Sequence, residues 1–366
     1  MDVDPASYLI LDDSEFFPNY DPETQKTLVE FMKNLMRISW KVNAVEQYFM
    51  LFGAVVIIFH FLVLTRKQMR TSATNIILIG ISTADLLVLM PSNYFYLRTL
   101  TDELIVCSEI SSYSKLFIGV ILTTVESHFR RCSTCLGMML ALVRVIAISK
   151  AMDARYDFIS KPRFGIIVIS VVICANIPIS VLVFLQWEVV PADPYYATEE
   201  CLALNTTLED HALQERSFFA ADDSFVRRAY YFVDGLVSQM IPCILFPILT
   251  IILICLLRKT KKLRDQKQFD TKNDRSATTT KLVIIMTITY LAYQLPSGLI
   301  SWYQTFFRVG YGVAQMMNSY LDIHSIVFTI NSIIHCFICF GMSSQYRETI
   351  RGFYPKSKNS RVVILQ

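Results

Sequence analysis

Apolar residues in this chain fall in long blocks, and most charges sit between the blocks. A helix crossing a hydrocarbon core needs about 20 apolar residues, and a run of about 18 uncharged ones already marks a candidate. Candidate spans run over 44–65, 75–97, 113–147, 164–187, 229–257, 282–303 and 319–342, seven in all. The first and third carry Glu46, Glu126, Arg130 and Arg131, so they rank lower by hydropathy alone. Pro91, Pro178, Pro242, Pro247 and Pro296 fall inside spans. In a soluble helix each would cost about 3 kcal/mol, whereas in a membrane helix neighbouring groups satisfy the freed backbone. The pattern predicts an all-α membrane protein. A seven-transmembrane helix bundle covers 45–342, an N-terminal segment 1–44 precedes it, and a short amphipathic helix and tail follow over 343–366.

Composition agrees. Of 366 residues 53% are hydrophobic and 18% charged, against about 25% charged in soluble domains. A net charge of +3 is too small to point to nucleic acid. Near the start, Asp2, Asp4, Asp12, Asp13 and Glu15 stand where a signal peptide would carry a basic leader, so the first span is expected to do the targeting. The segments between spans alternate in sign. Arg66, Lys67 and Arg70 lie between spans one and two, and residues 258–281 hold nine bases against three acids. Arg347, Arg351, Lys356, Lys358 and Arg361 follow the last span. By contrast, 188–228 is −6 and 1–44 is −4. Bases gather on the cytoplasmic side, so the N-terminus is expected outside and the C-terminus inside, at the plasma membrane.

Of nine cysteines, seven lie inside spans, and Cys107 and Cys201 lie in expected outer segments. Disulfides persist on that side, so these two predict one bridge between the segment before span three and the loop after span four. Asn205-Thr206-Thr207, in the same outer loop, is a glycosylation sequon, a triplet that also occurs by chance.

Ionisable groups in a bilayer are costly and turn inward. Asp85 sits in the middle of span two. Glu126 and Arg130 in span three are four apart and share a helix face. They either form part of a ligand site or belong to the wet outer end of a long helix. Arg144 ends span three, where the helix would emerge into the cytoplasm, and by charge alone reads as one more positive-inside anchor. No paired carboxylates, metal-ligand spacing or phosphate loop is visible, so neither an enzyme nor a cofactor or metal is expected.

Motifs in order narrow the reading. Met69-Arg70-Thr71-Ser72-Ala73-Thr74-Asn75 precedes Asp85. Arg131-Cys132-Ser133-Thr134 leads to Ala141-Leu142-Val143-Arg144. Ile241-Pro242-Cys243, then Leu295-Pro296, then Asn331-Ser332-Ile333-Ile334-His335 and Met342-Ser343-Ser344-Gln345-Tyr346-Arg347 follow. Over about 45–352 the chain resembles a rhodopsin-like G-protein-coupled receptor, and within that superfamily the nematode Srw class, related to receptors for FMRFamide-like neuropeptides. The resemblance implies that Arg144 contacts the G protein. It implies that Asp85, Ser133, Asn331 and Ser332 form a sodium-pocket-like set, and that Pro296 is the helix-six hinge. The sequence departs from the superfamily in several places. Val143 and Val145 flank Arg144 where an acid and a tyrosine are usual, Gln294 replaces the helix-six tryptophan, and His335-Cys336-Phe337-Ile338-Cys339 replaces the helix-seven motif.

The acidic outer segments suit a cationic ligand. The expected ligand pocket holds Glu126 as counter-ion, with Arg130, Gln294, Tyr320 and His324. The expected partners are a peptide ligand, a heterotrimeric G protein and membrane lipid. The alternatives are a chemosensory receptor for a small molecule and, of a different class, a seven-helix channel, transporter or membrane enzyme.

Overall fold

Asp21 and Pro22 open the first long helix. An Asp21 carboxylate oxygen accepts from the Thr24 amide at 3.0 Å, and Pro22 takes a first-turn position that has no partner for an N–H. That capping contact holds the Asp21 carboxyl below its usual pKa. From there α1 runs unbroken over Pro22–Leu64. In this computed structural model, residues 13–102, 112–150, 153–191, 211–221, 225–265, 273–307 and 310–353 are described. The helix therefore begins well ahead of the span expected over 44–65, and much of segment 1–44 is helical. Hydropathy marks where a helix enters lipid, not where it begins. The extension buries Val29 and Met32 with Phe16 and Phe17, and Val313 and Met316 pack against that cluster.

Six further long helices follow: α2 (Ala73–Asp102), α3 (Tyr113–Ser149), α4 (Pro162–Gln186), α5, α6 (Asn273–Phe306) and α7 (Tyr311–Met342). Within α5 a helix over Phe225–Val233 continues through a π-helical stretch, Asp234–Met240, into Ile241–Asp265. Pro242 accounts for the irregularity. A proline has no N–H for the carbonyl four residues back and collides with it, and a widened turn is one way to relieve that. A short helix, α8 (Ser344–Arg351), ends the described chain. Ser343 caps it by accepting from the Tyr346 amide at 3.1 Å, Tyr346 and Thr349 are buried, and Glu348 and Arg351 are exposed.

Six helices are long and apolar enough to cross a membrane, judged over the described residues. The exception is α6, whose side chains are described from Thr287 onward. The exterior carries Phe52, Val55 and Ile58 of α1, Ile167 and Val171 of α4, and Ile248 and Ile251 of α5, all exposed. A soluble monomer rarely shows so continuous an apolar surface; lipid is its natural cover.

Beside the helices, the described residues hold one two-stranded sheet. β1 (Trp187–Pro191) follows α4 directly and pairs antiparallel with β2 (His211–Glu215), with Val189 opposite Leu213. Gln186 donates to Glu215 at 3.0 Å, and the His211 ring meets Tyr113 at the start of α3 edge-on, 5.8 Å between centres. The net charge of this loop hid a short β pattern. Cys107, Cys201 and Asn205 lie outside the described residues.

The bundle has two unlike ends. At one, Leu64, Ile77, Ile81, Cys132, Leu136, Leu140, Val168 and Tyr346 form a dry core joining α1, α2, α3, α4 and α8. At the other, polar side chains surround an open space.

Candidate functional site

Span three supplies the site's axis. Glu126 and Arg130 are one helical turn apart on α3, so their side chains meet. Arg130 Nη2 lies 2.5 Å from Glu126 Oε1. Its Nη1 donates to the Tyr293 hydroxyl on α6 at 3.3 Å, and the guanidinium rests 4.9 Å from the centre of the Phe328 ring on α7. Tyr293 in turn stacks on His324, with ring centres 4.2 Å apart and planes within 10°. His324 Nε2 bonds the Tyr293 carbonyl, and Ser297 Oγ lies 3.2 Å from the same nitrogen. Tyr320 touches the back of this chain, 5.9 Å from His324 between ring centres.

Arg131 follows Arg130 and points elsewhere, as successive helix positions must. It is 7% exposed, donates to Ser180 of α4 at 2.8 Å, and lies 3.5 Å from Asp234 of the π-helical stretch. Adjacent arginines thus clamp α3 to α6 and α7 on one side and to α4 and α5 on the other.

Gln294 completes the link between α5 and α6. Its Nε2 donates to the Ser238 carbonyl at 3.0 Å. Ser238 is four residues before Pro242, so this carbonyl is the one the proline cannot serve. A side chain from another helix donates to it instead, as irregular membrane backbone requires. Gly235 lets the helices come this close: a Cβ there would meet Ser301 Cβ at 2.9 Å.

These groups surround a cavity of about 600 Å³, inside the usual range of about 300–1,000 Å³ for small-molecule sites. Glu126, Arg130, Gln294 and His324 line it; Tyr320 does not, and stands behind His324. Glu46, Arg131, Asp234 and Asp322 also line it, and the sequence reading assigns none of them to the ligand site. The signal was available. Glu46, Asp234 and Asp322 are acids inside apolar spans, the feature that singled out Asp85. On α1, Asn43, Glu46, Gln47 and Met50 reach the cavity at one-face helical spacing.

Deeper in the bundle Asp85 Oδ1 accepts from Ser133 Oγ at 2.5 Å. Asn331 turns instead to α6, accepting from Thr289 at 3.2 Å, while Ser332 is buried on α7. Pro296 lies inside α6, two residues past Gln294. Arg144 lies 18 residues beyond Glu126 on α3, about 27 Å at 1.5 Å per residue. It borders a small cavity of about 50 Å³ with Asn75, Cys339 and Tyr346. No ion pair holds Arg144 among the described residues. Tyr346 is fully buried there, its hydroxyl 2.7 Å from His60 Nδ1.

The family model described as serpentine type seven-transmembrane G-protein-coupled chemoreceptor Srw matches residues 44–355. No curated protein matches the chain.

Proposed function

The chain belongs to the Srw family of serpentine seven-transmembrane G-protein-coupled receptors, and on that footing we propose that its ligand is an FMRFamide-like neuropeptide, amidated and cationic. As a multi-pass receptor of this family it binds a ligand and couples to a G protein. The observation that carries the finer reading is the charge of the cavity. Four carboxylates, Glu46, Glu126, Asp234 and Asp322, face two guanidiniums, Arg130 and Arg131. A cavity with two surplus negative charges attracts cations and speeds their encounter.

In this reading α6 is the sixth of seven spans, the N-terminal segment is extracellular at the plasma membrane, and residues 343–366 are cytoplasmic. A Cys107–Cys201 bridge and a glycan on Asn205 belong to the outer surface. Residues Glu126, Arg130, Gln294 and His324 touch the ligand, with Tyr320 supporting His324. The basic stretch 258–281 lies against anionic lipid and the G protein. Activation is a population shift: the ligand binds the open-faced state better and thereby populates it. Gln294 gives the ligand a handle on that equilibrium, because it ties α6 to the π-helical turn of α5 two residues before the Pro296 hinge. Swinging α6 frees the inner face, where Arg144 meets the G protein. The Asp85–Ser133 pair, with Asn331 and the buried Ser332 of α7, holds the sodium-pocket place between the two ends.

The test is a second-messenger screen of amidated peptides on cells expressing the receptor. Peptides ending in Arg-Phe-amide should activate, and the same peptides with citrulline for arginine should not. Activation by uncharged compounds alone would overturn the peptide reading. A second reading, a chemosensory receptor for an environmental small molecule, is favoured by the family's description as chemoreceptors and by a cavity of small-molecule volume.

A further inference from the structure

We infer that the cationic group of the ligand, a guanidinium or ammonium, is seated on the α1–α7 wall of the cavity by Glu46 with Asp322 and Ser325, and not by Glu126. The first ground is how the charges are already used. Glu126 is held by Arg130 at 2.5 Å and Asp234 by Arg131 at 3.5 Å. Two pairs therefore cancel, and the surplus falls on Glu46 and Asp322. The surplus has a location: one wall, formed where α1 packs on α7.

The second ground is an acceptor with nothing on it. Glu46 is 3% exposed, lines the cavity, and its Oε1 is buried without a hydrogen-bond partner among the described residues. Buried carboxylate oxygens are normally satisfied, because an unserved charged acceptor is costly. The charged groups facing Glu46 are Arg130, Asp322 and Glu126, and the polar one is Ser325. The lone cation among them already bonds Glu126 and Tyr293. A donor from a ligand would satisfy Glu46 Oε1 directly. The third ground is preparation along the entry path. Asp322 Oδ2 accepts from Ser39 at 2.9 Å, which fixes this carboxylate on α7 near Ser39, seven residues before Glu46 on α1. A cation would meet Asp322 first and Glu46 about two turns further along. A guanidinium suits the pair best, because its fork of donors can serve two carboxylates at once.

The choice of a peptide probe rests on the function proposed above; the charged wall does not. The experiment uses the full-length receptor in lipid nanodiscs and measures binding of three probes. They are Phe-Met-Arg-Phe-amide, its citrulline counterpart, and phenethylammonium, an aromatic ammonium with no peptide. Wild type should prefer the arginine peptide over the citrulline one by about tenfold or more, which is about 1.4 kcal/mol, and Glu46→Gln should cut that preference below about threefold. Asp322→Asn should cut it partly, and Glu126→Gln should leave most of it. The ligand-free thermal midpoint of Glu46→Gln reports folding; if that variant does not fold, Glu46→Asp must keep the preference and Asp322→Asn must lower it. Loss of the preference in Glu126→Gln with retention in Glu46→Gln overturns the seat while the peptide reading stands. Glu46-dependent binding of phenethylammonium without binding of the peptide upholds the seat and overturns the peptide reading. Binding of no cation by wild type overturns both.

Discussion

The two ends of this bundle share α1, α3 and α4 and are built by opposite means. Around Leu136 and Cys132 the helices meet through apolar side chains that are almost wholly buried, with Tyr346 of α8 inserted among them. Around Arg130 and Arg131 they meet through ion pairs, ring stacks and hydrogen bonds, among them that from Gln294 to a backbone carbonyl. Lipid tails are as apolar as leucine, so burial alone does not hold helices together in a bilayer; close packing does it at the dry end and polar contacts at the other. The difference assigns work. A densely packed end has few arrangements open to it, whereas a polar end can trade its partners for those of a ligand.

That contrast can be broken by substitution. The largest effect is expected at Arg131→Met, which leaves Asp234 without its cation in a nearly buried site. Removing one partner of a buried pair costs about 3–5 kcal/mol, so the thermal midpoint of the nanodisc-embedded receptor should fall steeply. A second change, Asp234→Asn with Arg131→Met, should recover part of the loss; no recovery would mean that the pair is not what ties α3 to α5. At the dry end Leu136→Ala should cost about 2–5 kcal/mol by opening a cavity. It should leave the preference for cationic ligands unchanged, since it touches no cavity group. A changed ligand preference there would mean that the two ends are not separable. Gln294→Leu should cost about 1–3 kcal/mol, because the Ser238 carbonyl loses its donor, and should also raise signalling without ligand by loosening α5 from α6. The smallest effect is expected at Asp21→Ala, read as faster hydrogen exchange of the Thr24 amide. The Asp21 carboxyl titrates below its usual value in the folded chain, so its stabilisation is present at neutral pH and fades as pH falls through that lowered value. The variant and wild type should therefore converge in acid.

Much of this architecture is legible in the chain. The span expected over 164–187 is α4 at Pro162–Gln186, and that over 319–342 lies within α7 at Tyr311–Met342. Long apolar runs bounded by charge leave little freedom in where a helix must sit. Three features were not legible. Residues 22–43, which α1 adds ahead of the expected first span, are polar on one side, and only their packing on Phe16, Phe17 and α7 makes them part of the bundle. The strand pair lies in a loop whose acidity masks two short apolar stretches, Val189-Val190 and Ala212-Leu213, that face each other. The π-helical stretch follows from Pro242, but its depth and the partner that completes it, Gln294, depend on a helix far along the chain.

The site shows the same division. The spacing of Glu126 and Arg130 announces their contact, and the structure has it at 2.5 Å. That contact also occupies the carboxylate that the sequence offers as a counter-ion. Ranking acids by position in a span cannot tell a satisfied carboxylate from an unsatisfied one, which is why Glu46 reads in the sequence as a blemish in a hydrophobic run. Arg144 is the converse case. The sequence places it by motif, and the structure adds that Val143 beside it is buried in the dry core, 2% exposed, so an acid at that position would carry a folding cost of its own.

The most direct test of a receptor with a polar ligand end joined to an Arg144 end is nucleotide exchange on heterotrimeric G proteins by the purified receptor, driven by Phe-Met-Arg-Phe-amide. Wild type should accelerate exchange in the presence of the peptide, and Arg144→Ala should bind the peptide with unchanged affinity yet accelerate nothing. Full exchange activity in Arg144→Ala, or no peptide-driven exchange by wild type on any G-protein class, would contradict the account.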